Sequence, residues 1–418
     1  MGLRIINEAN RCLQCKKPFC VEGCPAHTSI PQAIGLLKEN RLLDAGKLLF
    51  DNNPLSLVCS IVCDHEAQCN GHCILGRKGS PIAFYEIEQF ISDAYLDRME
   101  IVKVPQKGKQ VAIIGAGPAG MTVGIVLAAN GYGVTVFDDN EKIGGMLQYG
   151  IPDFRLPRSI LSRYKKVMQR MGIQFRPNTT LGGALTISDL FRDGYASVFV
   201  GTGVWRPKTL GINGESLANV HYGVSYLANP NAYELGDDVA VIGMGNVAMD
   251  VARTALRYGS RHVTLYARSK RVAASEHEMD LARLDGAEFV FGKAIQRIQA
   301  SGPVFRTAIF GEDGSISGYE EEMDFVQADS TIIAVSQAPK NKLLLTTKGL
   351  EATEKGLLFT DENCMTTCKG VFAAGDVVHG SNTVVAAVDE AKRAARAMME
   401  YMAIKIDNDT MLGEDEVK

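Results

Sequence analysis

Neither sign of charge dominates this chain. Its 44 Lys and Arg face 48 Asp and Glu across 418 residues, a net charge near −4, a balance unlike that of a nucleic-acid-binding protein. With 46% hydrophobic and 22% charged residues the composition is that of a folded globular protein, not a disordered one. The opening Met1-Gly2-Leu3-Arg4-Ile5-Ile6 lacks the apolar core of a signal peptide, and Ile6 stands where myristoylation needs Ser or Thr. A cytoplasmic protein is the expectation. Charge is also missing from Val111 to Phe137, a stretch long enough to span a bilayer. The glycines within it explain the same apolarity as a buried strand and helix, so no membrane span is expected. Cysteine is absent between Cys73 and Cys364, although the chain has 10 in all. Eight crowd into Cys12 to Cys73, and in a reducing compartment such clustering points to metal ligands before disulfides.

A length of 418 residues predicts two or three cores. Apolar residues at helical spacing in Ile30 to Glu39 and Leu42 to Phe50 make residues 1–102 a small helical domain around the cysteines. Val102 to Lys109, with Pro105, Gly108 and three lysines, reads as a linker. Beyond it come two apolar strands, Val111 to Ile114 and Val239 to Ile242, each running into a glycine fingerprint and a helix. Each is a dinucleotide-binding unit. The second lies between two halves of the first, which predicts domains at 103–236 and 337–402 interrupted by an inserted one at 237–336. Residues 403–418, polar and acidic from Asp407, are expected to form a disordered tail.

In Gly115-Ala116-Gly117-Pro118-Ala119-Gly120 the first glycine permits a tight turn, the second lets the backbone approach a pyrophosphate, and the third lets helix and strand pack closely. The helix N-terminus supplies N–H groups to the phosphates. Asp138 ends the next strand, where a carboxylate can take the hydrogen bonds of a ribose. Near the other end, Gly370 to Asp376 is a buried strand leading to an acid, and Gly380-Ser381-Asn382-Thr383 opens the last helix. Here the chain resembles the flavoproteins with two dinucleotide domains. The resemblance implies FAD, with Gly375 and Asp376 at its ribityl chain and the helix N-terminus at Thr383 facing the flavin ring.

The second fingerprint, Gly243-Met244-Gly245-Asn246-Val247-Ala248, is followed by a strand that ends without an acid. Arg268, Lys270 and Arg271 stand there instead. A cationic group suits the 2′-phosphate of NADPH where an acid would suit the free hydroxyls of NADH. A solvated cationic loop is the bland alternative.

The cysteines form two runs, Cys12-x2-Cys15-x4-Cys20-x3-Cys24-Pro25 and Cys59-x3-Cys63-x5-Cys69-x3-Cys73. Zinc would use close pairs; runs of this length with a trailing Cys-Pro are similar to ferredoxins and predict two [4Fe–4S] clusters. Arg11 to Gln89, Gly144-Gly145-Met146 and Tyr149 to Pro157 resemble the glutamate synthase small-subunit family, shared with the flavin half of dihydropyrimidine dehydrogenase and the larger subunit of bifurcating NADH-dependent ferredoxin:NADP oxidoreductase. The resemblance implies an α/β fold with two Rossmann-like domains behind a helical iron–sulfur domain, and places Gly145 beside the flavin. It puts Cys12, Cys15, Cys20 and Cys73 on one cluster and Cys24, Cys63, Cys69 and Glu88 on the other, making Cys59 an inert thiol. Simple counting instead makes Cys59 a ligand and Glu88 a bystander. The implied function is input of electrons from NAD(P)H through FAD and the clusters to a partner: a glutamate synthase large-subunit-like, pyrimidine-reducing or ferredoxin-linked chain. Only eleven residues precede Cys12, fewer than that family leads one to expect. Glu276 and His277 match a loop of the family's nicotinamide domain, and equally suit a solvated helix start. Cys364 and Cys368 read as ordinary small core or loop residues. The rival outside the enzyme class is a zinc-stapled nucleotide-binding module that senses redox state.

Overall fold

Helices α1 (Gly2–Asn10), α2 (Phe19–Glu22), α3 (Ile30–Lys38), α4 (Leu42–Asn52), α5 (Ser56–Val62) and α6 (Phe84–Arg98) precede the first strand. This computed structural model describes residues 2–102 and 104–413, with 404–413 described by their backbone alone. Pro31 at the start of α3 sets the helical φ where no N–H partner is needed. Ile30, Ile34 and Leu37 of α3, Leu49 of α4, and Ile87 and Ile91 of α6 recur at helical spacing and join Ile5 and Ala9 of α1 in one core. Cys69 lies in that core, and Cys12, Cys20 and Cys73 border it.

The chain then alternates strand and helix: β1 (Gln110–Ile114), α7 (Pro118–Ala129), β2 (Gly133–Phe137), α8 (Met146–Tyr149), α9 (Arg158–Arg170), β3 (Gln174–Arg176), α10 (Ile187–Arg192) and β4 (Tyr195–Val200). There follow β5 (Arg206–Pro207), β6 (Val220–Tyr222), α11 (Gly223–Ala228), β7 (Asp238–Ile242), α12 (Asn246–Arg257), β8 (His262–Ala267), α13 (Glu276–Asp285) and β9 (Glu288–Phe291). A three-stranded antiparallel meander, β10 (Lys293–Gln299), β11 (Gly302–Phe310) and β12 (Ile316–Phe325), leads to β13 (Ser330–Ile333) and β14 (Gln337–Ala338). The chain closes with α14 (Lys342–Thr346), β15 (Val371–Ala373), α15 (Asp376–His379) and α16 (Val384–Gly413).

Two units result. One comprises Met1–Leu147, Asp153–Val204 and Pro339–Lys418, the other Gln148–Pro152 and Trp205–Ala338. In the first, five parallel strands lie in the order β15-β4-β1-β2-β3. In the second, five parallel strands lie in the order β6-β13-β7-β8-β9. Strands covered on both faces read as continuous apolar runs, which is why Val111 to Ile114 and Val239 to Ile242 do not alternate. The uncharged α7 is buried almost throughout and packs against α16. Among the described residues no helix is long and apolar enough to cross a membrane.

Two expectations are corrected. Residues 205–236, read from sequence as part of the first dinucleotide domain, fold with the second unit, because β6 extends its sheet beside β13. The last helix runs to Gly413, so residues 403–413 continue α16 where a tail was expected; 414–418 and Lys103 of the linker lie outside the described residues.

The helical segment and the first sheet are joined by charge as well as by packing. Arg163 of α9 donates to Asp93 at 2.6 Å and Asp97 at 2.8 Å, both on α6.

The glycines of the first fingerprint separate two kinds of substitution. A Cβ on Gly120 would lie 1.9 Å from the backbone oxygen of Gly115, whereas one on Gly117 would meet nothing closer than 4.0 Å. Gly120→Ala is therefore expected to destabilise the protein by about 3 kcal/mol or more. Gly117→Ala should stay within about 0.5 kcal/mol of the parent. Urea unfolding of the two variants measures both.

Candidate flavin, nucleotide and cluster sites

Each parallel sheet changes winding direction once, and ligands of such folds bind where that happens, beyond the strands' carboxyl ends. In the first unit the change falls between β1 and β4. Gly115 leaves β1 with φ +104, and a Cβ there would lie 2.5 Å from the Gly201 oxygen beyond β4. Gly117 then caps α7, which begins at Pro118 and contains Ala119 and Gly120. The space above Gly117 is bounded by Gly145, whose φ of +55 and close approach to Gly117, 2.9 Å from a built Cβ to the Gly117 Cα, leave room only for glycine. Gly144 N–H donates to the Ala116 oxygen at 2.8 Å and holds the two turns together. This cradle over a helix N-terminus fits a pyrophosphate.

Asp138, at the end of β2, accepts from Ala116 N–H at 2.6 Å and from Asn140 N–H at 2.7 Å. Burial raises its carboxyl above the usual range, and these bonds work against that. It lines a cavity of about 390 Å³ with Asn140, Lys165, Gln169 and Arg176 as further polar walls and Val136, Ile173 and Phe175 as apolar ones. An adenosine half of a dinucleotide fits that mixture.

Across the same switch point, β15 delivers Gly375 with φ +77, and Asp376 follows it. Asp376 accepts from Asn382 N–H at 3.1 Å, and burial pushes its carboxyl up to about 7. Thr383 precedes α16, its hydroxyl oxygen accepting from Ala386 N–H at 3.3 Å. Sequence reading missed Glu390, one of whose carboxylate oxygens accepts from Gly375 N–H at 2.8 Å while the other lies 3.4 Å from His379 Nε2. The carboxylate on the face of α16 that meets the loop was the available signal.

The second unit repeats the device between β7 and β13. Gly243 has φ +140 and a Cβ there would lie 2.3 Å from the Ala334 oxygen. Gly245 caps α12, which begins with Asn246 and Val247, and a Cβ on Gly245 would meet nothing. Asn246 accepts from Ser275 N–H at 3.1 Å and so ties the turn to the start of α13. Arg268, Lys270 and Arg271 follow β8 as exposed residues. Lys270 lies 4.6 Å from the Phe310 ring centre. Glu276 and His277 open α13 on its exposed side, behind the Ser275 cap.

The cysteines sort by space rather than by run. Cys12, Cys15, Cys20, Cys73 and Cys69 line one cavity of about 40 Å³, closed otherwise by apolar side chains such as Ile30, Ile34, Ile82 and Phe84. Burial, reinforced by the thiols of Cys73, Cys12 and Cys15, pushes Cys20 up to about 11. Cys24 and Cys59 are packed in a second cluster with Cys63 and with Val384 and Val385 of α16. The Cys24 sulfur lies 3.3 Å from the Thr28 hydroxyl, and the Cys59 and Cys63 thiols hydrogen-bond each other. Cys69 stands between the groups: burial raises it, then the charge of Glu88, Cys24 and Cys20 in turn.

Glu88 of α6 is 6% exposed, and its carboxyl is raised well above the usual range by burial and by Cys59. No donor reaches it among the described residues. A buried carboxylate without a hydrogen bond is costly, and a metal is one of the few partners that offsets the cost. The donor set is thus thiolate-rich and apolar-walled, as iron–sulfur groups require. Among the described residues no three His, Cys, Asp or Glu side chains converge on a point that would hold a single ion. Cys364 is buried and Cys368 half-buried; both are free thiols.

The profile described as pyridine nucleotide-disulphide oxidoreductase matches residues 109–391, and that described as dihydropyrimidine dehydrogenase domain II, 4Fe-4S cluster, matches residues 2–100. The glutamate synthase [NADPH] small chain of Escherichia coli K12 is 33% identical, covering 95% of this chain and 91% of its own. The chain belongs to the glutamate synthase small-chain family. The NAD-dependent dihydropyrimidine dehydrogenase subunit PreT of the same organism is 31% identical over 96% of this chain and 95% of its own. Among solved structures, Mycobacterium tuberculosis FprA in complex with NADPH superposes with a TM-score of 0.61 at 17% identity, over 73% of this chain and 86% of that one, a likeness of fold. This glutamate synthase small-chain relative is therefore an NAD(P)H-dependent flavin and iron–sulfur oxidoreductase of the electron-transfer subunit class.

The raised Asp376 carboxyl makes stability depend on pH. From about pH 4 to pH 7 the flavin-free folded protein keeps a proton that the unfolded chain has released, so its stability falls as pH rises through that window. Asp376→Asn should remove this slope, gaining about 1–3 kcal/mol over the parent at pH 8 and nothing at pH 4. Urea midpoints of the stripped proteins at the two pH values check it.

Proposed function

We propose that the chain is the NADPH-oxidising electron-input subunit of a glutamate synthase-like enzyme, with two [4Fe–4S] clusters between its FAD and a partner subunit. The observation that carries the reading is the seat of Val384 and Val385, the first residues of α16, against Cys24, Cys59 and Cys63. The helix that opens beside Asp376 and Thr383 is thereby the wall of a cysteine group. Bound together, FAD and the clusters supply the conversion of a two-electron hydride into single electrons.

This chain's residues bind and orient. The α7 N-terminus over Gly117 holds a pyrophosphate, Asp138 a ribose, and Asp376 the ribityl side of the flavin. Glu390 fixes the Gly375 turn that aims Asp376. Arg268, Lys270 and Arg271 take the 2′-phosphate of NADPH, their exposed guanidinium and ammonium groups lying beyond the end of β8, where the adenosine ribose of a dinucleotide fold sits. Cys12, Cys15, Cys20 and Cys73 hold one cluster, and Cys24, Cys63, Cys69 and Glu88 the other. The raised thiols must lose protons on loading, so assembly is favoured by higher pH. By the family resemblance, which has Gln at this position in the dehydrogenase branch, Glu88 favours the glutamate synthase and ferredoxin-linked bifurcating readings of the partner over a pyrimidine-reducing one.

NADPH should reduce the flavin with kcat/KM roughly tenfold above NADH, about 1.4 kcal/mol, and Arg268→Ala should lose most of the difference. Stopped-flow reduction with both nucleotides decides; equal constants would remove the phosphate assignment.

The ligand scheme makes a separate forecast. Cys59→Ser should keep the full iron and sulfide content, while Cys63→Ser and Cys73→Ser each lose a cluster and Glu88→Ala alters or loses one. Iron counts with low-temperature EPR test this. Loss of iron in Cys59→Ser with an unchanged spectrum in Glu88→Ala would reverse the roles of those two residues.

A further inference from the structure

The first cysteine group opens to solvent through a rim unlike its walls. Leu13, Phe19 and Ile74 line the cavity and yet are 62%, 41% and 39% exposed. One exposed apolar side chain is ordinary; three around a single opening mark a contact surface. Cations stand among them. Lys17 lines the opening, the Arg77 guanidinium lies 5.8 Å from the Phe19 ring centre, and Lys16 and Lys78 are their exposed neighbours in sequence. Among the described residues none of the four enters an ion pair, whereas nearby Arg11 is engaged by Glu8 at 2.7 Å. Glu22, at the end of α2, is the one acid of that helix. The second cysteine group offers no such opening beside α16, because Val384 and Val385 cover it.

We propose that this rim is the docking surface for an acidic electron-accepting protein. Leu13, Phe19 and Ile74 supply the dry contact, and Lys16, Lys17, Arg77 and Lys78 meet the partner's carboxylates. The inference rests on the electron-input reading and adds to it the place and the chemistry of the exit. Each transfer takes one electron from this side and reduces a one-electron iron–sulfur or flavin centre of the partner, and no bond is made or broken. Charge complementarity of this kind steers encounter and weakens as salt shortens the range of the field.

The test uses the full, cluster-loaded chain with two probes: an acidic plant-type [2Fe–2S] ferredoxin and a basic cytochrome c. Titration calorimetry at 20 and 500 mM salt gives affinities, and zero-length carbodiimide coupling, which joins carboxylates to amines, maps the contact. The expected result is ferredoxin binding that weakens at least tenfold at high salt and at least tenfold in Lys17→Glu/Arg77→Glu, with coupling at Lys16, Lys17 or Lys78. The single variants Lys16→Gln and Arg77→Gln should each lose about threefold, and they keep the test open if the double variant loses iron. Coupling confined to other lysines, an affinity indifferent to these substitutions, or equal binding of cytochrome c would overturn the proposal. NADPH-driven dye reduction, followed in parallel, should be unchanged in the rim variants. Its absence in the parent protein would instead sink the electron-input reading, whatever the ferredoxin does.

Discussion

The contact of Val384 and Val385 with Cys24, Cys59 and Cys63 binds the two halves of the first unit into one object. Val385 is fully buried there and Val384 partly so; the first alone is worth about 1.5–3 kcal/mol, enough to hold a helix end in register. The same helix packs along α7, whose N-terminus carries the open Gly117 turn, and its Glu390 accepts from Gly375 N–H. One rigid element therefore sets the spacing of the fingerprint, the Asp376 turn and the buried thiols. Arg163, clamped between Asp93 and Asp97, makes a second tie between α9 and α6.

Burial gives the cluster region its electrostatic character. Thiols and the Glu88 carboxylate are withdrawn from water with few donors to replace it, and every resolved shift among Cys12, Cys20, Cys24, Cys69 and Glu88 favours the protonated form. Lys38 works against this at Cys12, and Lys392 of α16, itself buried and its ammonium held below the usual range by that burial, lies close enough to Cys24 to feel its charge. The nucleotide turns are built the opposite way. There the backbone supplies the donors, and glycine keeps side chains out of the space that a ligand needs.

Much of this was legible in the sequence because short-range geometry dictates it. The first glycine of each fingerprint must pass a backbone oxygen across the switch point, Gly201 in one unit and Ala334 in the other, so the motif announces strand, turn and helix together. Charge-free strands and the alanine-rich last helix were equally plain. The limits of the second unit were not, because the short β6 pairs with β13 over a hundred residues later and carries no periodic signal of its own. The grouping of thiols was not legible from spacing either: Cys73 lies beside Cys12 and Cys15 only because α3, α4 and α6 bring the two runs together. Glu390 and Lys392 carried no mark in the sequence, and tertiary packing half-buries the first and buries the second.

The cover over Cys24 and Cys63 also has an order in time. Helix α16 follows every other element of its unit along the chain, so during synthesis the helical segment folds while the lid over its second thiol group has yet to be made. Once α16 seats, Val384 and Val385 close over Cys24 and Cys59, so the last helix to be made is the one that completes the burial of these thiols.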